Sequence, residues 1–300
     1  MSKPTNHSPI LMYMNSRRKF LLQGSLATTA ILATKPFKTF AKLNSSFSFT
    51  DNNSISLLHT YGLGVTATVS PAAFEKAMSV IAELKKQKAG ILLFDTGNSF
   101  TDARMNALLQ PLGYDALIPG DRDLASGQFL LPAIASNYLV NDSNLKNIQP
   151  YKIIYKNDIR IGIISACSNT GSGAVSFKDP AKEITALATH LKEAEHCGLV
   201  ICLSNLDHQN KKPVDDLALA LQSKNVDVIL GSQSAQSSGK LPAIVINKMK
   251  QEVIVNNAGY GDILLGRVQI SFDGDNKKNK IAFSNIPMGS GYGKAVQSFM

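Results

Sequence analysis

The sequence predicts an α/β fold, a four-layer αββα sandwich of two mixed sheets with helices on the outside. Three observations predict it. Between residues 55 and 231, apolar runs of strand length alternate with helix-periodic segments. From Ala243 onward only strand patterns remain, separated by turn residues, which adds antiparallel strands to the parallel ones. Hydrophobic residues make up 44% and charged residues 18% of 300, the balance of a globular chain rather than a disordered one.

The elements follow in order. Ile55 to Thr60 is a short apolar strand. Pro71 opens a helix at its first turn, where a missing N–H costs nothing. Phe74, Met78, Ile81 and Leu84 then recur at helical spacing, and Lys85, Lys86 and Lys88 close the helix as its macrodipole favours. Gly90 to Asp95 is continuously apolar, the pattern of a strand buried on both faces. Asp102 to Leu109 is a second helix, stopped by Pro111. Ala116 to Pro119 and Leu131 to Ser136 are short strands. Tyr151 to Tyr155 and Ile159 to Ala166 flank Asn157-Asp158, a hairpin turn signal. A helix runs from Asp179-Pro180 to about Ala194. Gly198 to Ser204 is a strand, Val214 to Ser223 a helix and Val226 to Gly231 a strand. Strands at Ala243 to Asn247, Glu252 to Asn256, Asp262 to Phe272 and Ile281 to Ile286 complete the chain. The expected division is a signal over residues 1–41, a Ser/Asn-rich linker over 42–53, one domain over 54–290 and a tail over 291–300.

Ser16-Arg17-Arg18-Lys19-Phe20-Leu21 resembles the twin-arginine export signal, with Arg17 and Arg18 as its pair. The apolar stretch from Leu21 to Ala33 is too short for a transmembrane helix, which needs about 20 residues. Thr39-Phe40-Ala41 suits cleavage, and the expected destination is the periplasm or the medium. A basic amphipathic helix on a cytoplasmic protein is the competing reading. The net charge of +9 suggests a nucleic-acid partner until it is located. Six of the 31 basic residues fall in residues 1–41, which hold no acid, and the remainder carries an excess of only about three. With Trp absent and aromatics at 7%, a base-stacking surface lacks support. Cys167 and Cys202 sit in apolar runs and read as buried thiols. Three cysteines make no disulfide framework, and a Cys197–Cys202 bridge would need special geometry.

Ligands of α/β sheets gather at the carboxyl ends of strands. Here those ends read His59-Thr60-Tyr61-Gly62-Leu63-Gly64, Asp95-Thr96-Gly97-Asn98-Ser99-Phe100, Gly120-Asp121-Arg122-Asp123, Ser204-Asn205-Leu206 and Gly231-Ser232-Gln233-Ser234-Ala235. Small and polar residues follow apolar runs at five places, as at an active-site rim. These motifs resemble the 5′-nucleotidase branch of the calcineurin-like metallophosphoesterases. Leu57-Leu58-His59-Thr60 is similar to its opening strand, and Asp95 to Phe100 to its Asp-x-Gly-Asp-x-Phe. Leu112 to Ala116 is similar to the segment leading into its Gly-Asn-His-Glu motif, and Asp227 to Gly231 to that before its Gly-His-x-His. Val175 to Pro180, Gly259-Tyr260-Gly261 and Leu265-Gly266-Arg267 extend the likeness over roughly residues 53 to 287. The resemblance implies the metallophosphoesterase-like sandwich and, in the family, phosphate-ester hydrolysis by two divalent metals.

At each position where the resemblance expects a ligand, the residue differs. The Asp-x-His of the first strand falls on Gly62 and Gly64, and the bridging Asp on Asn98. The Asn-His pair falls on Asp121 and Arg122, a further His on Asn205, and the last two on Gln233 and Ala235. The Asp that supports the catalytic His falls on Ala125. Two-metal hydrolysis needs ions about 3.5–4 Å apart held by carboxylates and imidazoles. Glycine offers no donor, Asn98 is neutral, and Arg122 would set a fixed positive charge beside the ions. The expectation is therefore no catalytic residue, no bound metal and no cofactor. No His-x-His, His-Glu-x-x-His or Cys-x-x-Cys pattern supplies a substitute.

Blander readings stand beside these. Asp95 is expected to cap the amides of its own loop, and Asp121, Arg122 and Asp123 to form a surface ion cluster. The sharper alternative is an anion grip by Arg122. Asp207-His208 reads as a solvated loop, and Asn169 to Gly173 as a flexible rim loop with no phosphate-loop Lys. The function expected is an exported pseudoenzyme that binds a ligand or a protein. The alternative is a 5′-nucleotidase-like phosphoric ester hydrolase with an altered metal site. The resemblance implies that family members usually carry a C-terminal nucleotide-gripping domain, and the expectation is that this chain lacks one. Expected partners are therefore a periplasmic protein supplying that domain or a small phosphate-bearing ligand, besides the export machinery, and no nucleic acid. The β-rich end, Asp262 to Ile286, is the expected contact surface for such a protein.

Overall fold

A computed structural model describes residues 53–64, 71–87, 90–120, 123–124, 133–140, 148–167, 175–206, 214–233, 242–259 and 264–287. Arg17, Arg18, Asp121, Arg122, Ala125, Asp207, His208, Ala235 and the loop from Asn169 to Gly173 lie outside these residues.

Two mixed sheets form the centre. The first has seven strands: β1 (Ser54–Thr60), β2 (Ile91–Asp95), β3 (Ala116–Leu117), β4 (Ala133–Ile134), β6 (Ile148–Gln149), β14 (Leu264–Phe272) and β15 (Lys278–Pro287). Their order is β15-β14-β1-β2-β3-β4-β6. The second has six: β7 (Lys152–Lys156), β8 (Ile159–Cys167), β10 (Leu199–Asn205), β11 (Val228–Gln233), β12 (Ala243–Ile246) and β13 (Glu252–Gly259), in the order β12-β13-β11-β10-β8-β7. A small ribbon pairs β5 (Tyr138–Val140) with β9 (Val175–Phe177). β1 and β2 run parallel, as do β8, β10, β11 and β13, whereas β14, β15, β7 and β12 pair antiparallel.

Side-chain alternation sorts the core into three apolar interfaces, which is what makes four layers. Ile55, Leu57, Leu92 and Phe94 of the first sheet meet Ile161, Ile163, Ile201 and Leu230 of the second between the sheets. On the outer face of the first, Leu58 and Leu93 pack against α1 (Pro71–Gln87) through Ala77, Ile81 and Leu84, and against α2 (Ala103–Leu109) through Met105 and Leu109. On the outer face of the second, Ile164, Val200 and Ile229 pack against α3 (Pro180–Glu193) through Ile184, Ala188 and Leu191, and against α4 (Asp216–Gln222) through Leu219 and Ala220. A strand with helices on one side and a sheet on the other has no wet face, hence the unbroken apolar runs.

The local signals act as chemistry requires. Asp102, Asp179 and Asp215 cap α2, α3 and α4, each carboxylate accepting from an amide of the first turn. Asn157 and Asp158 both take positive φ, 49° and 59°, which closes the β7–β8 hairpin with a twist matching its strands. All three cysteines are buried and none is in a disulfide, so Cys197 and Cys202 are not bridged. The sheets are also tied by charge: Asp227 lies 2.7 Å from Lys192 of α3 and 2.9 Å from Lys278 of β15. Burial pushes its carboxyl up, but the two ammonium groups win and hold it below the usual carboxylate range.

Candidate functional site

The rim forms where β1, β2, β10 and β11 end. The β1 and β2 loops are laced together. Gly62 N–H donates to Gly97 O (2.9 Å), Gly64 N–H to Asn98 O (3.2 Å) and Leu63 N–H to Ser99 Oγ (3.0 Å). Thr96 N–H returns a bond to Thr60 O (2.9 Å). Gly62 takes φ 68°, a backbone region that favours glycine. Gly64 has no space: a Cβ there would lie 2.7 Å from both Ser99 O and Thr101 Oγ1.

Two buried carboxylates organise these loops. Asp123 Oδ2 accepts from the N–H of Asn98 (2.7 Å) and Gly120 (2.8 Å), and its Oδ1 from Phe100 N–H (2.8 Å). Asp123 is fully buried, not part of a surface ion cluster, because three backbone donors from two loops need one acceptor. Asp95 caps its own loop as expected, accepting from Gly97 N–H (2.8 Å), and also takes the hydroxyls of Thr60 and Ser99 (2.6 Å each). Burial lifts its pKa to about 8; hydrogen bonds from Ser99, Thr60 and Gly97 oppose that shift, and the Asp123 charge adds to it. Tyr114, whose hydroxyl lies 3.0 Å from Thr60 Oγ1, is pushed well above its usual range by burial and by Asp95.

Asn98, Asn205 and Ser232 stand at the mouth. Asn98 takes φ 61°, which Asn tolerates better than most residues, and its Nδ2 lies 3.4 Å from Tyr61 OH. A Cβ on Gly97 would lie 2.6 Å from Asn205 Nδ2 and 3.6 Å from Gly120 Cα, so loops of both sheets meet at that glycine. Ser232 Oγ donates to Asn205 Oδ1 (3.5 Å). Behind them, Asp216 accepts from Ser204 Oγ (2.5 Å) and from Asn257 Nδ2, which also reaches Ser232 O (3.2 Å). The described mouth is thus made of neutral amides and hydroxyls.

Gly62, Gly64, Asn98 and Asn205 do converge. Gln233 is placed by its backbone at the end of β11, beside Gly259, and its side chain lies outside the description. His59 is buried on β1, where its ring fills the space left by Gly266 of β14 and burial drives its pKa down to about 3. Among the described residues, neither of its nitrogens has a hydrogen-bond partner. Sequence reading missed the roles of Thr60, Ser99, Tyr61 and Asp216; hydroxyls next to the Asp95 motif were the available signal.

As a donor set, the described residues do not fit two dications. Gly62 and Gly64 bring no side-chain donor, Asn98 brings no charge, and the Asp95 and Asp123 oxygens already accept from loop donors. Among the described residues, no three His, Cys, Asp or Glu side chains come together as a metal would need.

No family model matches the chain. It is 23% identical over 188 residues to a 5′-nucleotidase of Vibrio vulnificus and, over the same length, to one of Vibrio cholerae. Each match covers 52% of this chain, and the chain spans about a third (34%) of those relatives. The fold is that of a 5′-nucleotidase precursor from Thermus thermophilus, at TM-score 0.61 and 19% identity over 82% of this chain and 58% of that one. It also matches the NAD nucleotidase of Haemophilus influenzae (TM-score 0.62, 15% identity, 78% of this chain and 50% of that one). A calcineurin-like phosphoesterase from Bacillus subtilis follows (0.57, 16%, 78% and 91%). The chain therefore has the α/β architecture of 5′-nucleotidases and calcineurin-like phosphoesterases.

Proposed function

We propose that the chain is an exported pseudoenzyme on this phosphoesterase fold, which works without the two-metal centre and binds a ligand or a protein at its rim. The observation that carries the reading is Gly64. The resemblance expects a metal-binding side chain there, and the laced loops leave no room for even a methyl group. The rim is held by Asp95 and Asp123, which occupy their oxygens with loop donors rather than ions. Neutral amides and hydroxyls at the mouth suit recognition of a polar ligand, with Arg122 the candidate grip on a phosphate. Export through the twin-arginine route, by Arg17 and Arg18, belongs to the same reading.

The test has two arms. In the first, the purified chain is offered nucleoside monophosphates and aryl phosphates with manganese or zinc, and no phosphate release is expected. In the second, thermal shifts are read with the same compounds. A nucleotide-induced shift that Arg122→Ala removes assigns a ligand; a co-purifying periplasmic protein assigns a protein partner, for which Asp262 to Ile286 is the proposed contact. Metal-dependent turnover would instead support the second reading, a phosphoric ester hydrolase with altered ligands. The sequence likeness to 5′-nucleotidases favours that reading.

A further inference from the structure

At the pole opposite the rim, the turn between β12 and β13 presents Lys248-Met249-Lys250. β13 starts from this turn and runs parallel to β11, and so away from it towards the rim. The turn is preformed. Buried Asn247 uses its Oδ1 to accept from the N–H of Met249 and of Gln251 (2.9 Å each). Its own N–H donates to Gln251 O (3.0 Å), and Lys250 N–H donates to Asn247 O (2.9 Å). The Gln251 and Asn225 side chains are joined by Gln251 Nε2 donating to Asn225 Oδ1 (3.1 Å), and Asn225 N–H donates to Gln251 Oε1 (3.1 Å). Lys248 N–H donates to Leu221 O (3.2 Å), which fixes the turn against the end of α4.

What this frame holds up is apolar and basic. Met249 is 55% exposed, with Leu221 at 50%, Ile246 at 47% and Leu217 at 39%. Four of the six large apolar side chains exposed among the described residues thus belong to this turn, the strand end that leads into it and the helix tied to it. No acid occurs from Ile246 to Gln251. Lys250 takes φ 61°, where Gly or Asn would be cheaper, so its side chain is kept at a conformational cost.

We propose that this pole docks on an anionic lipid surface, with Met249 and Leu221 entering the headgroup–acyl boundary and Lys248 and Lys250 meeting the lipid phosphates. An exposed methionine between two lysines on a stiff tip matches both layers of such a surface, apolar beneath and negative above. Charge argues against a second copy in this place: a two-fold contact through the tip would set Lys248 and Lys250 against their own counterparts. Docking by this pole leaves the rim facing away from the membrane, open to solutes.

The test uses the full chain in co-sedimentation with vesicles of phosphatidylcholine, alone and mixed with phosphatidylglycerol. Wild type and variants carry the same N-terminus, so any binding by that segment is common to both. On the anionic vesicles, Lys248→Ala and Lys250→Gly should each weaken partition about five-fold, and Met249→Asp should remove the tip's contribution. Lys250→Gly relaxes the backbone, so it decides the matter if Met249→Asp folds poorly. On phosphatidylcholine alone, wild type and the lysine variants should agree. Equal partition of all forms onto anionic vesicles would overturn the proposal. So would lipid-free dimerisation in sedimentation velocity that Met249→Asp abolishes, since the patch would then belong to a second copy.

Discussion

Asp123→Ala is the substitution that weighs the rim's internal clamp. It strips the acceptor from three backbone donors, Asn98, Phe100 and Gly120 N–H, at bonds of 2.7 to 2.8 Å. A buried donor left without a partner costs about 1–3 kcal/mol, so three give about 3–9 kcal/mol. The donors lie on loops at a rim, where water can enter after a small movement, which sets the expectation near the lower end, about 3–4 kcal/mol. That is a large fraction of a typical stability of about 5–15 kcal/mol. With a urea slope of about 3 kcal/mol per molar for a domain of this size, the unfolding midpoint should fall by about 1 M. Asp123→Asn keeps one carbonyl acceptor but turns an NH2 towards a donor, and should fall between the two. The measurement is urea unfolding followed by circular dichroism, repeated with manganese or zinc. A midpoint shift under about 0.3 M would refute the clamp. Restoration of Asp123→Ala by either metal would equally refute it, because ions would then be holding the loops.

Other expectations follow from the same structure. Asp95 has its folded pKa raised to about 8 from 3.8, so the folded state holds a proton that the unfolded state has lost, and its contribution to stability falls as pH rises from about 4 to 8. His59 works oppositely: with its pKa lowered from 6.5 to about 3, its contribution is full above about pH 6.5 and is lost on acidification. The two slopes offset between about pH 4 and 6.5, so Asp95→Asn should make stability climb with pH across that window where wild type is flat; an unchanged profile rejects the assignment. Gly266→Ala should cost about 1–3 kcal/mol by driving a methyl group into the His59 ring, and adding His59→Ala should recover part of that loss in thermal melts. Gly64→His should lower the melting temperature and bind no more zinc than wild type, since the loops must part to admit any side chain.

The layers were legible because each depends on local pattern. Phe74, Met78, Ile81 and Leu84 mark α1 whatever surrounds it, and Asn157-Asp158 marks its hairpin by backbone preference alone. The ribbon of β5 and β9 and the strand β6 were not legible. Each has two or three residues, and pairing with a distant partner rather than its own composition makes it a strand. At the rim, the meeting of Gly62, Gly64, Asn98 and Asn205 could be placed from strand ends. The burial of Asp123 could not: Asp-Arg-Asp reads as surface, and only the fold aims three amides at one of its acids. His59 was similarly opaque, because the absent side chain of Gly266, two hundred residues away, is what lets an imidazole into the core.

Metal content tests the central claim most directly. The chain is expressed with manganese and zinc supplied, purified without chelator and measured by elemental analysis alongside a thermal melt with and without chelator. The expected result is well under one metal per chain and a melting temperature that the chelator leaves unchanged. Two metals per chain, with a melting temperature that drops on chelation, would show that ions rather than Asp95 and Asp123 hold the rim, contradicting the claim.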